Sequence, residues 1–168
     1  MSKPIYIGVD PAFRQGGFWA AILDMTDKSV RFLQFKDVLD WYDWLRSDES
    51  PDRAFVCVEN SNMQRNNFDM SGDRDELATK GRSVGKNQAV SELAYRAATR
   101  VDGFTAFQVS PKEKGAKYSP QMFGYVIRQE GVLLPKGSIN QDARDAFKLA
   151  QIARQKAIMG GYFKKTTV

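Results

Sequence analysis

Two aspartates, Asp142 and Asp145, lie in the stretch INQDARDAFKLAQIARQKA, residues 139 to 157. A helical residue advances roughly 100° around the axis, so positions three or four apart share a face. A helix here therefore sets Asp145, Ala146, Leu149, Ala153 and Ala157 on the side of Asp142, and Arg144, Lys148, Gln151 and Gln155 on the other. The first side is apolar and faces inward. Asn140 is a good N-cap and an acid in the first turn answers the helix dipole, which accounts for Asp142. Asp145 lies further in, where an inward carboxylate requires a cation, a hydrogen-bond network or a proton. Two more acids close apolar runs: Asp10 ends IYIGVD, and Glu59 stands near the end of AFVCVEN. Four carboxylates brought together repel one another and are tolerated only by protonation or by binding cations. Ligands that are all oxygen select hard ions such as Mg²⁺, or Mn²⁺ as its substitute, over zinc. Two such ions about 4 Å apart can stabilise both the attacking and the leaving oxygen of phosphodiester cleavage, and one of them supplies hydroxide near neutral pH.

Composition narrows the alternatives. The 168 residues contain no histidine, which removes Ser-His and Cys-His nucleophile pairs, Cys/His zinc sites and imidazole bases together. A single cysteine, Cys57, excludes an internal disulfide and reads as a small buried hydrophobe. With 42% hydrophobic residues, a chain of this length is expected to form one domain, 1–168, able to bury a core without staples. No apolar run reaches a membrane span, and MSKPIYIGVD leads directly into a strand, so a soluble, cytoplasmic protein is expected. The net charge of +5 and pI near 9.3 favour an anionic partner, nucleic acid first and an anionic membrane surface second. Candidate contacts are Lys80, Arg82 and Lys86, then Lys112, Lys114 and Lys117, then Lys164 and Lys165, each of which could equally be ordinary solvated surface.

The elements that must position these groups follow from pattern. IYIGVD (5–10) suits a central strand buried on both faces. FWAAILD (18–24) and SVRFLQF (29–35) are joined by short turns and complete an antiparallel meander. A helix over 37–46 turns Val38, Leu39, Trp41, Tyr42 and Leu45 inward, and residues 54–60 form a second buried strand. The polar stretch 61–81 reads as a mobile loop. Apolar spacing at Val90, Leu93, Ala94, Ala97 and Val101 marks a helix over 82–101; FTAFQV (104–109) is a strand, and SPKEKGAKY a basic loop. Ser119 with Pro120 starts a helix that Gly131 stops, and the final helix runs to about residue 158 before a frayed tail. If the strands ending in Asp10 and Glu59 are parallel neighbours, their acids meet at the carboxyl edge of the sheet, where ligand sites of α/β proteins gather. A last helix packed over that edge would add Asp142 and Asp145. A positive chain with a buried negative cluster has the features of a metal-dependent nuclease.

In this order and at this spacing, GVDPAFRQGGFWAAILD, VCVEN and QDARDAFKLA resemble the three acidic motifs of the RuvC-type Holliday-junction resolvases of the ribonuclease H-like superfamily. The similarity spans roughly residues 4 to 158. The resemblance implies an α/β fold, a five-stranded mixed sheet flanked by helices, with Asp10, Glu59, Asp142 and Asp145 as catalytic ligands of two Mg²⁺ ions. It also implies a homodimer that nicks opposed strands of a four-way DNA junction symmetrically. The helix over 82–101 occupies the place of the family's dimer helix, though its stripe could equally be core. A lysine beside the site assists catalysis or grips the scissile phosphate in the family; Lys114 and Lys117 are the candidates, and Lys117 is assigned the role here. Bacterial members carry an aromatic wedge three positions after the second acid. This chain has Asn62 there, so the wedge either passes to Met63 or Phe68 or is lost.

Other readings compete. An actin-like or sugar-kinase domain also opens on a strand ending G-x-D, but normally needs two such halves and a second glycine-rich loop. A passive DNA- or RNA-binding module would not retain all four acids. A flap or branched-DNA nuclease, or one acting on RNA–DNA hybrids, would use the same cluster.

Overall fold

A computed structural model describes residues 3–11, 16–60, 63 and 72–161. The chain begins with the expected meander, β1 (Ile5–Asp10), β2 (Phe18–Asp24) and β3 (Ser29–Phe35), followed by helix α1 (Val38–Leu45) and strand β4 (Ala54–Glu59). Helix α2 (Arg74–Thr99), strand β5 (Phe104–Val109), the single turn α3 (Pro111–Lys114), and helices α4 (Pro120–Glu130) and α5 (Gln141–Met159) complete it. The sheet order is β3-β2-β1-β4-β5. The first three strands pair antiparallel, while β4 lies parallel to β1 and β5 parallel to β4. The mixed sheet flanked by helices matches the architecture expected from sequence.

Strand alternation sends successive side chains to opposite faces, and each face has its own core. Tyr6, Ala21, Leu23, Phe55 and Cys57 face α5 and α4; Ile7, Val9, Ala20, Ile22, Val56 and Val58 face α1 and α2. The register of β1 with β4 runs to Val9↔Val58, one residue before the acids at the two strand ends. Asp10 shares the parity of Tyr6 and Gly8, and Glu59 that of Phe55 and Cys57, so both strand-end acids fall on the α5 side.

How closely α5 can approach is set by Gly8. A Cβ at this position would lie 1.9 Å from the Ala146 carbonyl oxygen and 2.2 Å from the Ala150 nitrogen. The α5 backbone therefore rests directly on β1, against a helix face of small residues that includes Ala143, Ala146, Ala150, Ala153 and Ala157, all buried. A glycine inside a strand marks such an approach, a signal in IYIGVD that the hydrophobic pattern alone does not use.

Several local expectations change. Residues 74–81, read as loop, are the first turns of α2: Asp73 and Glu76 form a reciprocal capping box, and the helix spans 26 residues. Capping chemistry outweighed the lack of an apolar stripe. The segment SPKEKGAKY contains α3, capped by Ser110 and Glu113. In α1 the buried residues are Trp41, Trp44 and Leu45, whereas Leu39 and Tyr42 are exposed; the Trp41 indole donates to the Ala94 carbonyl of α2 and fixes which side turns inward. On α5, Arg144, Lys148 and Gln151 are half-buried rather than solvated, because α4 and residues 115–118 cover that side; Gln155 is exposed as expected. Asn140, Ser119 and Gly131 cap as read, with Gly131 left-handed at φ 63°. The tail from residue 162, with Lys164 and Lys165, and also Asn62 and Phe68, lie outside the described residues.

The close approach at Gly8 has a measurable cost if violated. Gly8→Ala puts a methyl into α5 backbone and is expected to destabilise the fold by about 3 kcal/mol or more, read by urea denaturation. A change under about 1 kcal/mol would mean that α5 does not rest on β1 as described.

Candidate active site

Three acids from three elements meet around one lysine. Lys114 closes the α3 turn at the end of β5, only 7% exposed. Its Nζ lies 2.5 Å from Glu59 Oε2, 3.7 Å from Asp10 Oδ2 and 3.9 Å from Asp145 Oδ2. Asp145 is 2% exposed and is oriented by Gln141, whose side-chain amide donates to Oδ1 at 2.9 Å. Gln141 is held in turn by Arg144, which donates to its oxygen at 2.9 Å and to the backbone carbonyls of Tyr118 and Ile139. Asp142 sits in the first turn of α5, half-buried, and its charge acts on Asp10. Lys117 reaches Asp145 at 3.9 Å from the exposed rim.

The electrostatics are unbalanced. The Asp10 carboxyl is pushed up to about 6, by burial first and then by the charge of Glu59, with Asp145 and Asp142 adding to the rise against the downward pull of Lys114. Burial alone would lower the Lys114 ammonium, but Asp10, Glu59 and Asp145 together override it and hold it protonated above its usual range. Glu59 Oε2 is buried, and the Lys114 ammonium stands at contact distance from it without the angle of a well-formed hydrogen bond. Two ammoniums facing four carboxylates leave an excess of negative charge.

Oxygen donors, excess negative charge and a buried carboxylate oxygen lacking a hydrogen bond suit a hard divalent cation. The sequence led us to expect four acids arranged around such ions. Among the described residues, no three acids stand close enough together to ligate one ion; the point on which Asp10, Glu59 and Asp145 converge is taken by the Lys114 ammonium. Lys114, grouped by sequence with the DNA-facing bases, thus points into the site. Of the two lysine candidates, Lys114 is the one in contact with three carboxylates, and Lys117 stands at the margin.

Two supporting residues escaped sequence reading, Gln141 and Asn60. Asn60, 2% exposed, donates to Gln108 Oε1 of β5 at 2.7 Å and to Glu92 Oε2 of α2 at 3.2 Å, while its backbone N–H bonds the Val109 carbonyl. It pins the end of β4, and with it Glu59, between the sheet and the opposite helix layer. A buried polar residue directly after a strand-end acid was the available signal. The remaining candidates are dispersed. Lys112, Arg82 and Lys86 are exposed, Lys80 lies on the same helix as the latter two, and Met63 is exposed close after Glu59. Cys57 is buried and its thiol is pushed up to about 12 by that burial, consistent with a structural role. No described helix is long and apolar enough to cross a membrane.

By sequence the chain matches no family profile and no curated protein. By fold it matches solved structures, among them T. thermophilus RuvC in complex with Holliday junction substrate, at 15% identity and a TM-score of 0.51 over 94% of this chain and 97% of that one. The likeness, with the sheet order above, defines the fold as ribonuclease H-like.

Because Asp10 binds its proton more tightly when folded than its ordinary value of 3.8 allows, its contribution to stability is present at acidic pH and is lost as pH rises through about 6. Without divalent ions, Asp10→Asn is therefore expected to melt roughly 2–8 °C above the unsubstituted protein at pH 7.5, with the gap closing toward pH 4. Calorimetry in a chelator reads this; an equal or lower melting point at pH 7.5 would contradict the charge frustration described.

Proposed function

We propose that this chain is a Mg²⁺-dependent, structure-selective endonuclease that resolves four-way DNA junctions by paired nicks, acting as a homodimer. The observation that carries the reading is the meeting of Asp10, Glu59 and Asp145, from two parallel strand ends and a covering helix, at one buried point of a ribonuclease H-like fold. That the matching RuvC structure holds a Holliday junction adds support.

Asp10, Glu59, Asp142 and Asp145 would hold the ions, which when bound supply an activated water and stabilise the oxygens of the scissile phosphate. The chain's own residues do the rest. Gln141 keeps one Asp145 oxygen turned away from the cluster centre and the other toward it. Asn60 fixes the backbone from which Glu59 projects. Lys117, exposed beside Asp145, and Lys112, exposed on α3, meet backbone phosphates, and Arg82 and Lys86, with Lys80 on the same helix, extend the basic surface along α2. Met63, or Phe68, serves as the wedge.

An exposed apolar recess between α1 and α2 supports the dimer. Leu39 is 67% and Leu93 52% exposed, and with Val38, Tyr42 and Ala97 they line one surface. The stripe of α2 thus divides: Val90, Ala94 and Ala98 enter the core while Leu93 faces outward. The absence of an aromatic residue at Asn62 favours a second reading in which flaps or other branched DNA are also cut.

Purified protein with Mg²⁺ should nick a four-way junction in symmetric pairs and leave linear duplex intact; a flap and an RNA–DNA hybrid offered in parallel separate the two readings. Asp10→Asn and Asp145→Asn should each lower cleavage by at least about 10³-fold with junction binding retained. Cleavage at the unsubstituted rate in either variant rejects that residue as a ligand.

Surface variants test the partners. Replacing Lys112 and Lys117 with alanine should reduce the slope of log affinity against log salt by about 2. An unaltered slope removes this edge from the DNA surface. Leu39→Glu with Leu93→Glu should yield monomers in light scattering and single, unpaired nicks; a dimer that survives both changes lies elsewhere.

A further inference from the structure

The metal reading leaves one residue out of place. An ion held by the site acids would draw on the carboxylates that Lys114 already contacts, and Lys114 is no loose surface side chain. Its backbone is fixed by the α3 capping box and by its own N–H bond to the Ser110 carbonyl. The turn that follows is fastened to α5: the Lys148 ammonium donates to the Ala116 carbonyl, and Arg144 and Gln141 both donate to the Tyr118 carbonyl. The Lys148 ammonium also lies 4.9 Å from the centre of the Tyr118 ring. Only the side chain itself can yield. The side chain is buried, and its ammonium meets three carboxylates at 2.5 to 3.9 Å.

We propose that Lys114 is a built-in counter-ion, occupying the position of a divalent cation in the ion-free protein and having to withdraw before one binds. The inference rests on the metal-ligand reading above. Ammonium and divalent ion are both positive and seek the same oxygens, and two buried cations sharing Asp10, Glu59 and Asp145 would repel each other at close range. Ion binding is therefore coupled to release of the lysine, and each weakens the other by the same factor. Such an arrangement holds the acidic site folded without metal and sets a minimum ion concentration for loading it. Lys117, more exposed and reaching only Asp145, has no comparable part.

The test needs no nucleic acid. Mn²⁺ is titrated into the full chain by calorimetry, and melting is followed with and without Mn²⁺, for the unsubstituted protein, Lys114→Met, Lys114→Gln and Lys117→Met. Lys114→Met and Lys114→Gln should melt lower than the unsubstituted protein in chelator, bind Mn²⁺ roughly tenfold or more tightly, and regain the lost stability at saturating Mn²⁺. Lys117→Met should stay within about twofold of the unsubstituted affinity. Should the unsubstituted protein bind Mn²⁺ while both Lys114 variants bind it equally or more weakly, the counter-ion role is wrong and the metal site stands. Variants that remain unfolded at saturating Mn²⁺ would also overturn it, because the ion should replace the ammonium. If no form of the protein binds Mn²⁺, the metal reading and this inference fail together.

Discussion

The contact of the α5 backbone with β1 at Gly8 is the constraint from which the rest of the site follows. A helix normally stands off a sheet by the length of its side chains; here the missing Cβ of Gly8 and the alanine-rich face of α5 let main chain meet main chain. That proximity lowers the N-terminal turns of α5 onto the end of the sheet. Asp145 then comes to the same buried point as acids that end two neighbouring strands. With a bulkier residue at position 8 the helix would ride higher and carry Asp145 away from the two strand-end acids.

Such crowding is unfavourable in itself. The raised Asp10 carboxyl records the frustration, and the buried Lys114 ammonium partly relieves it. A fold does not retain this many inward acids for stability, since apolar residues of similar size would cost less. Local strain of this kind gathers where a protein has chemistry to perform. The polar contacts around the cluster fit that view. Gln141, itself held by Arg144, and Asn60 each keep a carboxylate or its backbone in place without neutralising it.

The two faces of the sheet divide the labour. Beneath α5 lies the acidic cluster, with Lys117 at its exposed rim. On the opposite face, α1 and α2 close the second core and present Leu39 and Leu93 to solvent. Asn60 bridges the layers, since its side chain bonds Glu92 on α2 while the residue before it is Glu59. A change in how α2 is packed thus has a short path to one acid of the cluster.

The sequence by itself determined the strands, their alternation, the caps at Ser119, Gly131 and Asn140 and the acids that close two apolar strands, because those depend on local rules: period, cap chemistry and an acid at the end of an apolar run. Its errors were of two kinds. The start of α2 was hidden by polar composition, although the Asp73–Glu76 box was written in the chain. Leu39, Tyr42, Arg144, Lys148 and Gln151 were assigned to the wrong surroundings because helical periodicity tells which residues share a face and not what covers it. Only the tertiary structure decided that Lys114, and not its neighbour three residues on, enters the cluster. One turn of helix at the end of β5 and a loop fastened to α5 aim that side chain. Residues so near in sequence carry no mark of which will be buried until the elements around them have packed.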